Sequence, residues 1–291
     1  MSESNAIRVF NLNIWNYNEP WEVRRELIAE AIRREEPDLI ALQEIRYQSC
    51  YEEDPRHQAD QLAERLPGYS LIWQPAHYYQ GFGADEKWEG LAILSRFPMV
   101  DRRYRLLSRD EDDPDDRHQR IVLGAKVRAP AGALWLFTTH FPLSARARER
   151  VACEAYDFVV RTAGRLPFVL TGDFNAQPDA APIRFLTGRL ALEGRRGNLV
   201  DAWALLHPDE PGFTSPTWEP RERIDYIFVS PSVRVHEIAL AATEPNAQGI
   251  YPSDHCGLVA EVRMPTESDW ATLKSSSGST EKTAQARLLN A

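Results

Sequence analysis

The segment Leu170-Thr171-Gly172-Asp173-Phe174-Asn175-Ala176-Gln177-Pro178 constrains this chain more than any other. The apolar run from Phe168 to Leu170 reads as a buried strand. It enters a Gly-Asp-Phe-Asn corner, and Pro178 ends the segment. A carboxylate and a carboxamide two residues apart at a strand end can face one cleft and flank a substrate phosphate. In that role Asp173 would take a proton from water, and Asn175 would donate hydrogen bonds to the developing phosphoryl charge. The same residue types also make an Asx turn, in which both side chains merely satisfy local backbone groups. The rest of the chain has to decide between the two.

Ile7 to Ile14 alternates like a strand and ends at Asn13. Pro20 opens a helix with Val23, Leu27, Ala31 and Ile32 at helical spacing, and Pro37 stops it near Glu36. Leu39 to Gln43 is a second short strand, ending at Glu44. This strand-helix-strand opening favours parallel neighbours and a right-handed crossover. Residues 47 to 66 read as polar helix, Leu71 to Trp73 as a strand and Gln74 to Trp88 as an aromatic loop. Leu91 to Leu94 is a strand closed by Ser95-Arg96-Phe97-Pro98. Ser108 to Arg117 is an acidic loop, expected to be solvated rather than metal-binding. Ile121 to Val127 and Leu134 to Thr138 form a hairpin over Pro130-Ala131-Gly132. Ser144 caps a long amphipathic helix ending at Gly164, with Val151, Ala155, Phe158 and Val159 on its core face. A helix is expected from Ala180 to Thr187, and the last strands are Ile224 to Val229 and Leu258 to Val262. Helices and hairpins interspersed in this way predict mixed sheets between helical layers. Residues 266 to 291, rich in Ser, Thr, Lys and Gly, read as a tail of low order behind a domain spanning 1 to 265.

Composition narrows the function. A net charge of -9 on 291 residues disfavours duplex nucleic acid as a bulk ligand, unless cations or a local basic groove offset the repulsion. Cys50, Cys153 and Cys256 are widely spaced and odd in number, which fits buried free thiols better than a disulfide framework or a zinc site. Met-Ser-Glu-Ser-Asn has no basic leader region, and no apolar run reaches the roughly 18 residues of a membrane span. The expected compartment is the cytoplasm, with no integral membrane segment and no protein partner implied.

Polar residues recur just after apolar strands: Asn13, Glu44, His140, the Asp173/Asn175 pair, Asp225 and the Asp254-His255 pair. Strand ends gathered at one sheet edge would line a single cleft with them. Each has an ordinary reading too. Glu44 can pair with Arg46, Asp225 with Arg223 or Arg221, and His140 can be a satisfied core histidine. Together, Leu42-Gln43-Glu44, Thr139-His140-Phe141, Gly172-Asp173-Phe174-Asn175, Arg223-Ile224-Asp225-Tyr226 and Ser253-Asp254-His255 stand in the order seen in the endonuclease/exonuclease/phosphatase superfamily. The chain resembles that superfamily over residues 6 to 264.

The resemblance implies an α/β protein, a four-layer α/β sandwich with two mixed β-sheets packed face to face and helices outside. It also implies phosphate-ester hydrolysis assisted by a divalent cation, Mg2+ or Mn2+. Carried over by position, Glu44 is the principal metal ligand, and Asn13 and Asp254 complete or orient the metal shell. Oxygen donors without cysteine suit such hard cations. Asp173 would orient the attacking water, Asn175 would bind a non-bridging oxygen, and His255 would lie against the phosphate with Asp225 fixing its tautomer. His140 with Glu89 resembles a second acid pair that assists the leaving group. Arg120 is a candidate phosphate contact, or a surface arginine after an acidic loop.

The substrate class is less constrained. The aromatic group Tyr78, Tyr79, Phe82, Trp88, Phe213 and Trp218 could stack on a base or grip an apolar group, with Tyr79 and Trp218 as candidate substrate contacts, or simply pack its loops. A small-molecule, lipid-headgroup or nucleic-acid phosphate ester would serve. Phosphodiesterase or phosphatase activity is expected first, and a nuclease on single-stranded or small nucleic acids second. A binding module that has lost its chemistry on the same fold is the remaining class.

Overall fold

The computed structural model describes residues 6–48, 56–80 and 86–264, so Cys50, Phe82 and the expected tail lie outside the described residues. The first part of the chain gives β1 (Ala6–Asn13), α1 (Trp21–Glu35), β2 (Leu39–Gln48), α2 (Gln58–Ala63), β3 (Ser70–Gln80) and β4 (Glu86–Ser95). Next come β5 (Met99–Leu106), β6 (Ile121–Ala129), β7 (Gly132–His140), α3 (Ala145–Ala163), β8 (Phe168–Asp173) and α4 (Ala181–Leu186). The chain closes with β9 (Val200–Asp201), α5 (Ala202–Leu206), β10 (Asp225–Val229), β11 (Arg234–Ala241) and β12 (Gly257–Arg263).

Two six-stranded mixed sheets result, ordered β11-β12-β1-β2-β4-β3 and β5-β6-β7-β8-β10-β9. They pack face to face on an apolar layer that includes Val9, Leu39, Ala41 and Ile93 from the first sheet and Leu123, Leu136, Val169 and Ile227 from the second. α1 and α2 cover the outer face of the first sheet, with Trp21, Ile28, Ile32 and Leu62 against Phe10, Leu12, Ile40 and Leu42. α3 covers the second, with Val151, Ala155 and Val159 against Val122, Phe137, Leu170 and Phe228. The fold is therefore the four-layer α/β sandwich.

Strand periodicity explains how this core ends in a site. Side chains alternate across a strand, so residues of one parity share a face. On β1 the inward series is Ile7, Val9, Asn11, Asn13; on β8 it is Val169, Thr171, Asp173. Each inward face is apolar for most of its length and polar at one end. Gln43 on β2 bridges the sheets in this polar layer, donating to Asn11 Oδ1 at 2.8 Å and to Thr138 Oγ1 at 2.9 Å.

Several local expectations need correction. α1 buries Trp21, Arg24, Ile28 and Ile32, and Val23 lies outward. The face is rotated because the buried Arg24 guanidinium is recruited to the β1–α1 loop, where it donates to the carbonyl oxygens of Ile14, Asn16 and Asn18. The helix expected over 47–66 shrinks to α2, residues 47 and 48 belonging to β2. The expected loop 74–88 is largely strand, since β3 and β4 pair from Ser70 opposite Ser95 to Gln80 opposite Glu86. β5 and β11 were not anticipated; both are edge strands whose polar, exposed residues lack core alternation. The acidic loop is solvated over most of its length, as expected, but Asp116 is buried against Arg150, and Asp113 accepts from Ser144, the N-cap of α3. Cys153 and Cys256 are free and buried, as anticipated. Among the described residues, no helix is long and apolar enough to cross a membrane.

Gly172 is required where β7 and β8 run together. Its φ is +149°, and a Cβ there would lie 2.0 Å from the Thr139 carbonyl oxygen. Gly172→Ala is expected to lower the unfolding free energy by roughly 2 kcal/mol or more in urea titrations, overpacking and backbone strain acting together. A loss below about 0.5 kcal/mol would show that the two strands can part there at little cost.

Candidate active site

Strand polarity brings the site together. β1 and β2 are parallel and finish side by side, Asn13 opposite Gln43, while antiparallel β12 starts next to them with Leu258 opposite Asn11. In the second sheet β7 and β8 finish together, His140 opposite Asp173, and antiparallel β10 starts with Asp225 opposite Asp173. Asp225 and Asp254-His255 thus open or precede their strands, which corrects the expectation that every site residue follows one. An antiparallel strand brings its amino end to the edge where its neighbour ends. Glu44 sits within β2 at a register irregularity between Leu42 and Ile45, with φ +57°. That bulge turns its carboxylate off the normal alternation.

One hydrogen-bonded network joins these groups. Asn13 Nδ2 donates to Glu44 Oε1 at 3.1 Å and to Asp173 Oδ2 at 3.0 Å, linking the two sheets, while its Oδ1 accepts from the Trp15 amide. Asn16 Nδ2 holds the second Glu44 oxygen at 2.8 Å. His255 Nδ1 meets Asp225 Oδ2 at 2.8 Å, and its Nε2 lies 3.9 Å from Asp173 Oδ2. Ser253 Oγ donates to the Asn13 carbonyl oxygen at 2.6 Å and accepts from the His255 amide at 3.2 Å, which fixes the Ser-Asp-His turn to the end of β1. At the corner after β8, the Asn175 amide donates to Asp173 Oδ1 at 2.8 Å, so the Asx turn does form. The same corner also presents Asp173 to the cleft, and Asn175 Nδ2 is anchored on the Phe141 carbonyl at 2.9 Å. Turn and site are one structure here.

Burial and like charge govern the electrostatics. Burial, then Asp225, pushes the Asp173 carboxyl up to about 6, against the lowering effect of His255. Burial likewise pushes Asp254 up to about 6, with Glu44 adding to the rise. Glu44 is raised by burial and by Glu89. His255 moves the other way from an ordinary buried histidine: burial lowers its pKa, but Asp225, Asp173 and Asp254 outweigh burial and hold the ring well above the usual range. Buried Arg24, lowered to about 10 by desolvation, is supported by Asp254 and Glu44. Glu44 and Asp254 interact electrostatically and offer only oxygen donors, a set that fits a hard divalent cation. Donor atoms of Asp173, Asp225 and His255 also lie within 4.8 Å of one another.

The remaining expected residues lie around this centre. His140 Nε2 is 3.4 Å from Asp173 Oδ2, and its Nδ1 is 3.0 Å from Arg120 Nη1. Arginine can only donate, so Nδ1 accepts and the Nε2 proton faces Asp173. Burial and Arg120 hold the His140 pKa well below the usual range. Glu89 is not hydrogen-bonded to His140, contrary to the expected acid pair. It pairs with Arg46 at 2.7 Å and lies 3.7 Å from Arg120, which stands between the two. Arg120 itself is buried, which excludes the surface-arginine reading. Tyr79 belongs to β3, donates its hydroxyl to Glu89 at 3.2 Å and lies under the Arg46 guanidinium. Trp218 is 53% exposed, 6.1 Å from the Trp15 ring and 6.5 Å from the Tyr251 ring. Its segment is tied to the site by the Thr217 amide donating to the Asp254 carbonyl oxygen. Arg223 pairs with Asp201, not Asp225, at 2.9 Å. Sequence reasoning missed Asn16 and Arg24, whose roles depend on loop path, and offered Arg46 to Glu44 where cross-strand register gives it to Glu89.

Residues 10–255 match the Endonuclease/Exonuclease/phosphatase family model, and the chain belongs to that family of phosphoester hydrolases. Among curated relatives, it is 27% identical to Nocturnin of Drosophila melanogaster, the match covering 85% of this chain and 43% of that protein. Identity to human Nocturnin is 25%, over 86% of this chain and 60% of that protein. The chain thus spans about half the length of these relatives. Among solved structures, an endonuclease/exonuclease/phosphatase from Bacteroides vulgatus shares the fold with TM-score 0.69 and 21% identity, over 89% of this chain and 99% of that one. The human Nocturnin catalytic domain with bound sulfate anion does so with TM-score 0.68 and 23% identity, over 91% and 96%. A mannosyl-6-phosphatase from Bacteroides thetaiotaomicron gives 0.65 and 22%, over 88% and 99%.

The raised Asp254 carboxyl has a stability consequence. The native state holds its proton to about 6, while the unfolded chain releases it near 3.8. Its contribution is complete below the unfolded value and is lost as pH rises through about 6. In chelator, the melting temperature of the wild type relative to Asp254→Asn is expected to fall between pH 4 and pH 6. Parallel pH profiles for the two proteins would contradict the raised carboxyl.

Proposed function

We propose that this chain hydrolyses phosphate esters with the help of a divalent cation, Mg2+ or Mn2+, held by Glu44 and Asp254 and oriented by Asn13. The observation that carries this reading is the Asn13 amide shared between Glu44 and Asp173, next to the Asp225-His255 pair. It joins a carboxylate suited to a cation with one suited to water. A bound cation would offset charge on the phosphate and on the leaving oxygen.

The chain's own groups supply the rest. Asp173, with a carboxyl raised to about 6, is ionised at neutral pH yet basic enough to take a proton from the attacking water. The His140 Nε2–H orients that carboxylate. His255, positioned through Nδ1 by Asp225, turns its Nε2–H to a phosphoryl oxygen, and Asn175 offers its second amide hydrogen to another. We assign the cation to Glu44 and Asp254, two buried carboxyl groups whose pKa values are both raised, and leave Asp173 and the Asp225-His255 pair to the water and the phosphate. A mannosyl-6-phosphatase and a sulfate-bound catalytic domain among the structural neighbours support a tetrahedral anion as the group recognised. The net charge of -9 favours a small ester over a nucleic-acid polymer. A nuclease acting on single-stranded or small nucleic acids is the second reading, favoured by the exposed Trp218 beside Trp15 and Tyr251.

The test is a hydrolysis panel with Mg2+, Mn2+ and chelator on a chromogenic diester, phosphomonoesters, sphingomyelin, and single- and double-stranded DNA and RNA. Chelator-sensitive turnover is expected, reduced about 100- to 10,000-fold in Asp173→Asn and in His255→Gln. Activity of either variant within a few-fold of wild type would overturn these roles. An intact cation response with no turnover of any ester would point to the binding-module class.

A further inference from the structure

Adjoining His140 is an open cleft of about 340 Å3 lined by Arg117, His118, Arg120, Asp115, Pro142 and Leu143. The hydrolytic roles above use none of its cationic groups directly. Arg120 is the link between cleft and centre. Its side chain is 9% exposed, Nη1 reaches His140, and its buried Nε has no hydrogen-bond partner. A buried guanidinium N–H left unpaired is costly unless a ligand engages it. His118 packs against His77 and Tyr79, with its Nδ1 3.5 Å from the Tyr79 hydroxyl; no described residue engages its Nε2. Arg117 anchors only its Nε, on the Pro114 carbonyl oxygen.

The acids around the cleft offset this charge only in part. Glu89 is shared between Arg46 at 2.7 Å and Arg120 at 3.7 Å, Asp116 pairs with Arg150, Asp113 accepts from the Ser144 hydroxyl, and Asp115 stands on the wall. Planar guanidinium donors beside an imidazole match a tetrahedral dianion, with arginine forks providing paired hydrogen bonds. Burial and Arg120 also hold His118 below its usual range, so it meets solvent as the neutral ring and gains a proton partner when an anion arrives.

We propose that the Arg117-His118-Arg120 cleft binds a second phosphate of the substrate, so that the ester hydrolysed at Asp173 is a small molecule carrying two phosphate groups. The inference rests on the hydrolase reading and extends it to substrate class. It also gives Arg120 a positioning role. An anion seated beside Arg120 would hold the guanidinium in place, and the guanidinium fixes the His140 tautomer that faces Asp173.

Two arms separate this inference from the reading beneath it. In the first, the full chain in chelator is titrated with inorganic phosphate while the His118 ring is followed by NMR. A saturable shift is expected, weakened roughly ten- to a hundred-fold in Arg117→Ala, the worth of one charge-assisted hydrogen bond. No saturable shift at His118, or equal affinity in Arg117→Ala, would overturn the proposal. In the second, glucose 1,6-bisphosphate is compared with glucose 6-phosphate under Mn2+. A preference for the bisphosphate carried in KM, and lost in Arg117→Ala, supports the cleft; a preference that survives the substitution overturns it. Should neither sugar phosphate turn over, the hydrolase reading is what suffers, and the binding arm alone decides the cleft.

Discussion

Four carboxylates, Glu44, Asp173, Asp225 and Asp254, converge on one water-poor edge of the sandwich, and the rest of the site follows from keeping them there. Unpaired buried charge is costly, so each must be compensated. The compensation differs by group. Asp225 has His255; Asp173 has the Asn13 and Asn175 donors; Glu44 has two carboxamides. Amides satisfy lone pairs but supply no full positive charge, which is why burial and mutual repulsion still raise Glu44, Asp173 and Asp254. On the proposed reading, the resulting deficit of positive charge would make the edge receptive to a cation on one side and able to accept a proton on the other.

The sandwich makes this arrangement affordable. The apolar layer between the sheets fixes the relative height of their strands, and the polar tier above it, Asn11, Gln43 and Thr138, continues the same inward faces. A shift of one residue in the register of β1 or β8 would turn Asn13 or Asp173 outward. Gly172 maintains that register on one side of the site. On the other, Arg24 holds the loop carrying Trp15 and Asn16, so a residue buried in a helix of one layer shapes the second hydrogen bond to Glu44.

Much of this was legible in the sequence because it depends on local pattern. The alternation of Ile7 to Ile14, the Pro37 stop, the Ser144 cap and the hairpin over Pro130-Ala131-Gly132 each carry a local physical signal, and each forms as expected. The ordered motifs from Leu42-Gln43-Glu44 to Ser253-Asp254-His255 indicated which residues would meet. What the sequence could not carry was direction and cross-strand company. Asp225 lies at the start of its strand, a distinction that depends on chain direction and not on neighbouring residue types. Glu89 looked like a partner for His140, yet register set it beside Arg46 and brought Arg120 between them. β5 and β11 are edge strands, and their one-sided pairing leaves no hydrophobic alternation to read.

Calorimetric titration of Mn2+ into the wild type and into Glu44→Ala tests the central claim most directly, because it needs no knowledge of the substrate. Saturable binding accompanied by proton release is expected, since the raised carboxyl groups must give up protons to the cation. Affinity should fall at least about ten-fold in Glu44→Ala. Absence of binding by the wild type, or equal affinity in the variant, would contradict a cation site at the junction of the two sheets.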